Sequence, residues 1–277
     1  MIISIGSGKG GTGKTTVATN LALSLDEKIQ LLDCDVDEPN AHLFLKPRIR
    51  EARIICVSVP KIDESLCTFC GRCAEVCAYN AIAVLEEKVL LFPDLCHSCG
   101  GCRLLCPAGA IEEKDKTIGI IEIGDASHVQ CISGRLNIGE VASPFLIEAV
   151  KRCADPYRIV ILDAPPGTSC PFVHSINGSD YCVLVTEPTP FGLHDLKLAV
   201  EVVEKLRIPF GVLINRSDIG DDQVELYCKD KNIPILMRIP FDPEIAEMSS
   251  NGISILEGKA DYSNMFRELF RKVVEAA

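Results

Sequence analysis

An α/β fold is what this sequence predicts: a mostly parallel sheet flanked by helices, with a small cysteine-rich α+β module inserted into it. Three observations carry the prediction. The chain opens on a short apolar run, Ile2-Ile3-Ser4-Ile5, that passes through a glycine-rich loop into a helical pattern. Short buried runs at 29–32, 159–162, 181–185, 210–214 and 235–239 then alternate with helical periodicity, the pattern of parallel strands joined by crossover helices. Between residues 61 and 112 the composition changes, and eight of the 15 cysteines crowd into that stretch. The expected organisation is an α/β domain in two parts, 1–60 and 113–277, with the module at 61–112 between them.

Composition bounds the reading. With 277 residues, 47% of them hydrophobic, the chain can build one large α/β core plus a small module. No apolar run reaches the length of a membrane span. Met1 leads straight into a strand, with no charged segment followed by an apolar one, so a signal peptide is not expected and a cytoplasmic location is. The formal charge of −11 repels phosphate backbones, which argues against nucleic acid as a partner. An odd number of cysteines without a secretory signal points to metal binding rather than a disulfide framework.

The first loop fits G-x-x-x-x-G-K-[ST] from Gly8 to Thr15. Gly8, Gly10, Gly11 and Gly13 let backbone N–H groups turn inward around phosphate oxygens, and the helix start behind them adds its positive dipole end. Lys14 reaches the terminal phosphates and the Thr15 hydroxyl holds magnesium, with Thr12 and Thr16 in the same cradle. Residues 13–25 read as the first helix. The strand at 29–32 ends in Asp33-Cys34-Asp35-Val36-Asp37, where α/β sheets place their ligands. Carboxylates packed this closely repel one another unless a cation or a water network sits among them. Cys34 reads as a small packing residue, and Asp37 alone could be a helix cap.

After a strand at 53–59 comes the module. Cys67, Cys70, Cys73 and Cys77 form one C-x2-C-x2-C-x3-C quartet; Cys96, Cys99, Cys102 and Cys106 form a second, 29 residues later. Asn80-Ala81-Ile82 and Gly109-Ala110-Ile111 keep the same offset, so the unit is duplicated. This is the spacing of bacterial two-cluster ferredoxins. Three closely spaced thiolates wrap three irons of a cube from a tight loop, and the fourth must approach from the opposite side. Gly71, Gly100 and Gly101 allow backbone N–H groups near the sulfides. Zinc is the competing ligand, but it does not account for two complete quartets. The second quartet is followed by Pro107 and the first by Ala78, a departure that touches an exit turn and not a ligand. His97 reads as an exposed loop filler.

Strands are expected at 117–122 and 128–131, a polar loop at 134–140 and a helix at 143–153. The strand at 159–162 ends in Asp163-Ala164-Pro165-Pro166-Gly167-Thr168-Ser169. A helix at 191–206 follows the strand at 181–185, and the strand at 210–214 ends in Asn215-Arg216. The last strand, 235–239, leads to Pro240-Phe241-Asp242-Pro243, expected to border the base. The amphipathic helix at 262–274 carries few basic residues, so packing on the core is expected rather than on a membrane.

Two motifs carry a family resemblance over the whole chain. The run from Lys9 to Thr15, KGGTGKT, resembles the deviant Walker A loop of the MinD/ParA/Mrp and nitrogenase-iron-protein ATPases. The run from Asp163 to Ser169 resembles the Mrp-type Walker B and switch II. The resemblance implies a P-loop NTPase fold and these roles: Lys9 crosses a homodimer interface to the partner's ATP, making ATP binding and dimerisation one event. Asp35 orients the attacking water, Asp33 supports the magnesium shell, and Asp163 holds magnesium through water. Gly167 offers its N–H to the γ-phosphate, and Asn215 reads the adenine amino group. Lys9, Lys14, Asp35 and Asp163 are thus the catalytic set.

The ferredoxin resemblance implies exchange of the fourth ligand. Cys67, Cys70 and Cys73 share one [4Fe–4S] cluster with Cys106; Cys96, Cys99 and Cys102 share the other with Cys77. The nitrogenase iron protein has a ligand cysteine where Cys170 stands, but the second cysteine that its cluster needs has no match near Ser143-Pro144, so Cys170 reads as a packed or accessible thiol. The C-x-x-C of Mrp/Nbp scaffolds is likewise absent near the C-terminus. The expectation is a magnesium-dependent ATPase whose dimer switching is coupled to electron transfer through two clusters, toward an unidentified redox or iron–sulfur acceptor protein. The alternative is an iron–sulfur cluster or metallocofactor carrier. A spatial-partitioning ATPase is disfavoured by the acidic charge and the missing basic tail.

Overall fold

The computed structural model describes residues 1–277, organised on one nine-stranded sheet. The chain begins with β1 (Ile2–Gly6), α1 (Lys14–Ser24), β2 (Ile29–Asp33) and a short α2 (Ala41–Leu45). A long strand, β3 (Arg48–Ile62), leads out to the cysteine-rich segment, which holds α3 (Arg72–Glu75), β4 (Ile82–Val84), β5 (Val89–Leu91) and α4 (Gly101–Leu104). The equally long β6 (Ile111–Ala126) leads back. Then follow β7 (Val129–Leu136), α5 (Ser143–Lys151), β8 (Ile159–Asp163), α6 (Cys170–Ile176), β9 (Tyr181–Thr186), α7 (Pro190–Leu206), β10 (Phe210–Asn215), α8 (Gln223–Asp230) and β11 (Ile235–Ile239). Three helices close the chain: α9 (Pro243–Ser250), α10 (Ile255–Gly258) and α11 (Asp261–Ala276).

The strand order is β11-β10-β9-β1-β8-β2-β7-β6-β3. All pairings from β11 to β7 are parallel, and β6 and β3 add an antiparallel edge. β2, β8 and β9 are buried on both faces, which is why they read as unbroken apolar runs. One face is covered by α1 and α11, whose Val17, Leu21, Phe266 and Leu269 pack with Ile3, Ile5 and Leu31. The other carries α6, α7 and α8 over Leu184 and Val212, with α5 packed through Leu146, Ile147 and Val150 on Ile121, Ile132 and Leu162. The parallel strands share one carboxyl edge, so the loops after β1, β2, β8, β9, β10 and β11 emerge side by side.

Two sequence expectations need correction. The strand at 53–59 is in fact the middle of a pair running from Arg48↔Asp125 to Ile62↔Ile111. β3 is an edge strand whose outward charges, such as Arg50 and Arg53, interrupt any apolar pattern while guarding the edge against pairing. This pair is the stalk of the module, and it reaches one residue inside the bounds 61 and 112. The polar run at 134–140 is not all loop: 134–136 belong to β7. A side chain at Gly134 would lie 2.7 Å from Val150 and 2.8 Å from Val36, so this glycine is what lets α5 pack closely on the strand.

The module repeats in space as it does in sequence. Left-handed residues fall at Phe69 and Ser98, Gly71 and Gly100, and Asn80 and Gly109, all at the sequence offset. Ala81-Ile82 and Ala110-Ile111 are buried equivalently.

No helix is long and apolar enough to cross a membrane. Two of the three basic residues of α11 are spent on the body: Arg267 Nε donates to the Ser24 carbonyl (2.7 Å) and Lys272 Nζ to the Leu236 carbonyl (2.8 Å), while Arg271 pairs with Glu268 and Glu275 of the same helix. Phe266 is fully buried beneath it. Phe266→Ala should therefore cost about 3–5 kcal/mol, read as a lowered urea midpoint. A loss below about 1 kcal/mol would mean that α11 is not part of the core.

Candidate functional site

The glycine-rich loop leaves β1 and winds into α1 with Gly13 as the residue before the helix, in the left-handed region at φ 94°. A Cβ there would lie 2.6 Å from Asn215 Nδ2, and one on Gly8 would lie 2.1 Å from the Asp195 carbonyl of α7. The loop is thus held between two other segments. Asn215 Nδ2 donates to the Thr12 carbonyl (2.8 Å), and its Oδ1 accepts from the Arg216 N–H (3.0 Å). The loop opens on a cavity of about 370 Å³. Gly10, Gly11, Gly13, Lys14, Thr15 and Thr16 line it, with Asp35 on one side and Asn215, Pro240 and Phe241 on another. Among the loop residues, Gly8, Lys9 and Thr12 do not line it.

The charges around this cavity do not balance. Asp33 and Asp163 are register neighbours at the ends of β2 and β8, and both are fully buried. Asp33 has given its oxygens to the backbone: Oδ1 accepts from Asp35 N–H, and Oδ2 from Asn40 and Ala41 N–H at 3.0 Å each. It shapes the loop from 35 to 41. Both oxygens of Asp163 are buried without a well-aligned hydrogen bond, the Thr15 hydroxyl being the donor nearest to making one. Burial, against the pull of the Thr15 hydroxyl and the attraction of Lys14, pushes Asp163 up to about 7, and burial pushes Asp35 up to about 6. Burial and the Asp163 charge hold Asp33 well above the carboxylate range. Lys14 is itself lowered by burial, with Asp163 and Asp35 opposing the shift. One buried ammonium beside two carboxylates, Asp163 and Asp35, with a third at Asp33 behind them, suits a site that receives a divalent cation together with polyphosphate.

Two groups are engaged elsewhere. Lys9 Nζ lies 3.3 Å from Glu187 Oε2, inside the same chain, and Arg216 holds the other Glu187 oxygen at 2.6 Å. The Gly167 N–H donates to the Ser7 carbonyl (3.1 Å), so it must exchange that bond to reach a phosphate. Glu187 and Arg216 were not singled out by the sequence reading. Their position just after β9 and β10, on the carboxyl edge, was the available signal.

The eight module cysteines divide into two sets. Cys67, Cys70, Cys73 and Cys106 line one small cavity; Cys77, Cys96, Cys99 and Cys102 line another. None of the 15 cysteines is in a disulfide. No three acidic, histidine or cysteine side chains converge tightly enough to hold a single metal ion. The thiols instead ring a space. Backbone N–H groups of Phe69, Ala81 and Ala110 donate to Cys67, Cys77 and Cys106 Sγ (3.4, 3.2 and 3.3 Å). Cys170 is exposed at the start of α6. His97 is exposed but not idle, because it stacks on Tyr79 with ring centroids 3.5 Å apart.

Comparison with known proteins agrees with this architecture. The model of the CobQ/CobB/MinD/ParA nucleotide binding domain matches residues 3–255. An uncharacterized protein of Methanocaldococcus jannaschii is 33% identical over 99% of this chain and 98% of its own. An iron-sulfur cluster carrier protein of Aquifex aeolicus is 27% identical over 94% of this chain and 63% of its own. Among solved structures, the cell division ATPase MinD of Pyrococcus furiosus superposes with a TM-score of 0.61 at 23% identity, covering 100% of this chain and 99% of that one. That likeness shows the α/β P-loop NTPase fold.

The raised carboxyl groups have a consequence for stability. The folded chain keeps protons on Asp163 and Asp35 to higher pH than the unfolded chain does, so this contribution falls as pH rises from about 4 through about 7. Asp163→Asn removes one such group. Its melting temperature, relative to that of the parent, should rise between about pH 5 and about pH 8 in the absence of magnesium and nucleotide. A difference independent of pH would contradict an unpaired buried carboxylate.

Proposed function

The chain belongs to the CobQ/CobB/MinD/ParA nucleotide-binding family, and on that premise we propose that it is a magnesium-dependent ATPase whose nucleotide-driven dimer switching is coupled to electron transfer through two [4Fe–4S] clusters in an inserted ferredoxin domain, residues 61–112. One observation carries the reading: in the same chain as the phosphate cradle, eight thiols line two cavities, four to each. Each set draws three cysteines from one quartet and the last from the other.

Each residue then has a task. The backbone of Gly8 to Thr16 and the Lys14 ammonium bind the triphosphate. Thr15 and Asp163 hold magnesium, Asp163 through water, with Asp33 fixing the loop beside it. Asp35, exposed to the cavity and a carboxylate at neutral pH, accepts a hydrogen bond from the attacking water and orients it. Gly167 trades the Ser7 carbonyl for the γ-phosphate, which gives the 163–169 loop two positions. Lys9 leaves Glu187 and crosses to the nucleotide of a second copy. Asn215 faces the base. Cys67, Cys70, Cys73 and Cys106 hold one cluster, and Cys96, Cys99, Cys102 and Cys77 the other, while nearby amides and burial set their potentials. When bound, these clusters supply one-electron storage. The site chemistry fits them, because thiols that ring a space suit an inorganic core of several atoms better than a single ion.

A second reading, a carrier that hands a cluster to another protein, is favoured by relatives named iron-sulfur cluster carrier proteins. Two quartets that each close into a four-thiol cavity favour resident clusters.

Anaerobically purified protein should contain about eight iron and eight sulfide per chain, and bind ATP with magnesium. Cys106→Ser should weaken the same EPR signal as Cys67→Ser, and Cys77→Ser the same signal as Cys99→Ser. Zinc in place of iron and sulfide, or failure to bind ATP, would overturn the proposal. Iron lost to an acceptor without a redox change would select the carrier. Separately, Glu187→Gln frees Lys9 and should lower the ATP concentration needed to form the dimer, measured by sedimentation. An unchanged requirement would show that the Lys9–Glu187 pair does not oppose dimerisation.

A further inference from the structure

We propose that residues 140–145, the entry to α5, are the mechanical link through which the nucleotide site sets the state of the second thiol set. The inference rests on the reading above and adds a route to it.

Three contacts converge on this short segment. Ser143 Oγ donates to both oxygens of Asp37, at 2.9 and 3.2 Å, across 106 residues of sequence. Asp37 stands in the run of carboxylates that begins at Asp33, between Asp35 and Glu38, which line the phosphate cavity, so the start of α5 is tied to the nucleotide side. Lys116 Nζ bridges Glu140 and Asp94, at 3.0 Å to each, and Asp94 lies just before Cys96. The Phe145 ring meets the His97 ring edge-on, with centroids 6.1 Å apart, and His97 follows Cys96 directly. An ionic tie and an aromatic tie therefore join one segment to one thiol loop.

The helix behind these contacts is stiff and receives a second input. Leu146, Ile147 and Val150 are fully buried, so a shift at its start moves the helix as a body. Lys151 Nζ donates to the His174 and Asn177 carbonyls of α6 and its end (2.6 and 2.7 Å), and His174 pairs with Glu148. α6 begins immediately after the loop of Asp163 to Ser169. Both nucleotide-facing loops thus bear on α5. The ties to the module span a cavity of about 720 Å³ that is also lined by Cys96 and Cys99. That space lets α5 and the thiol loop move against each other while the ties carry the force. Hydrogen bonding and solvent access around a cluster set its potential, and the loop at 96–99 controls both.

Linkage makes the test reciprocal. If nucleotide alters the reduced and oxidised states unequally, reduction must alter nucleotide affinity by the same factor. A non-hydrolysable ATP analogue with magnesium should bind the oxidised and dithionite-reduced cluster-loaded protein with affinities that differ by about fivefold or more. In Ser143→Ala and in Phe145→Ala the difference should fall within about twofold, with iron content and oxidised-state affinity retained. Ser143→Thr, which keeps the hydroxyl, should restore it. Hydrogen exchange of amides 96–103 should respond to the analogue in the parent chain and not in Ser143→Ala.

A difference that survives both alanine variants overturns the link and leaves the functional reading intact. So does a parent chain with both sites filled and equal affinities. Should Ser143→Ala lose its fold, Phe145→Ala alone decides between these outcomes. A parent chain without iron or without nucleotide binding overturns the reading and the link together.

Discussion

At the carboxyl edge of β2 and β8, three carboxylates crowd together with one buried cation, Lys14, close to two of them, and the remainder of the structure is arranged around that imbalance. Asp33 and Asp163 stand side by side in the sheet register, Asp35 follows two residues on, and Lys14 enters from the adjacent strand–helix turn. Water is excluded from Asp33 and Asp163, so their repulsion is strong and their protons are held high. Asp33 is quieted by three backbone N–H donors. Asp163 has no backbone donor and shares its buried end of the site with the Thr15 hydroxyl and the Lys14 ammonium. The apolar sheet beneath, buried on both faces, supplies the stability that lets such a site persist.

The strand order explains why these groups meet at all. β1 lies between β8 and β9, and β2 beside β8, so the phosphate loop, the carboxylate loop and the 163–169 loop leave the sheet as neighbours. The other side of the sheet solves a different problem. A small unit with two thiol-lined spaces has little apolar core of its own, and it is carried on β3 and β6 as a continuation of the main sheet. That register fixes the module relative to the body at its base, while α5 meets it from the side.

Much of the site could be read from the sequence because its signals are local. The phosphate cradle and both quartets are defined by spacing within a dozen residues, whereas the exchange of the fourth thiol comes only with the resemblance to two-cluster ferredoxins. What could not be read depends on distant partners. The Lys9–Glu187 pair joins loops 178 residues apart, and the Phe145–His97 contact joins two segments that share no pattern. The run at 134–140 reads as loop for the same reason: Gly134 admits Val150 and Val36 beside the strand, which no local motif announces. The full length of β3 was hidden because an edge strand with outward charges has no apolar run to see.

The central claim is that a phosphate sensor and two electron stores act as one device. The most direct measurement reduces the cluster-loaded protein anaerobically and follows its oxidation by a soluble one-electron acceptor, in stopped flow, with and without magnesium and ATP. The account predicts that magnesium and ATP together change the oxidation rate, and that Asp163→Asn abolishes the change while the clusters remain. An oxidation rate indifferent to nucleotide, in protein shown to hold both ATP and iron, would contradict it.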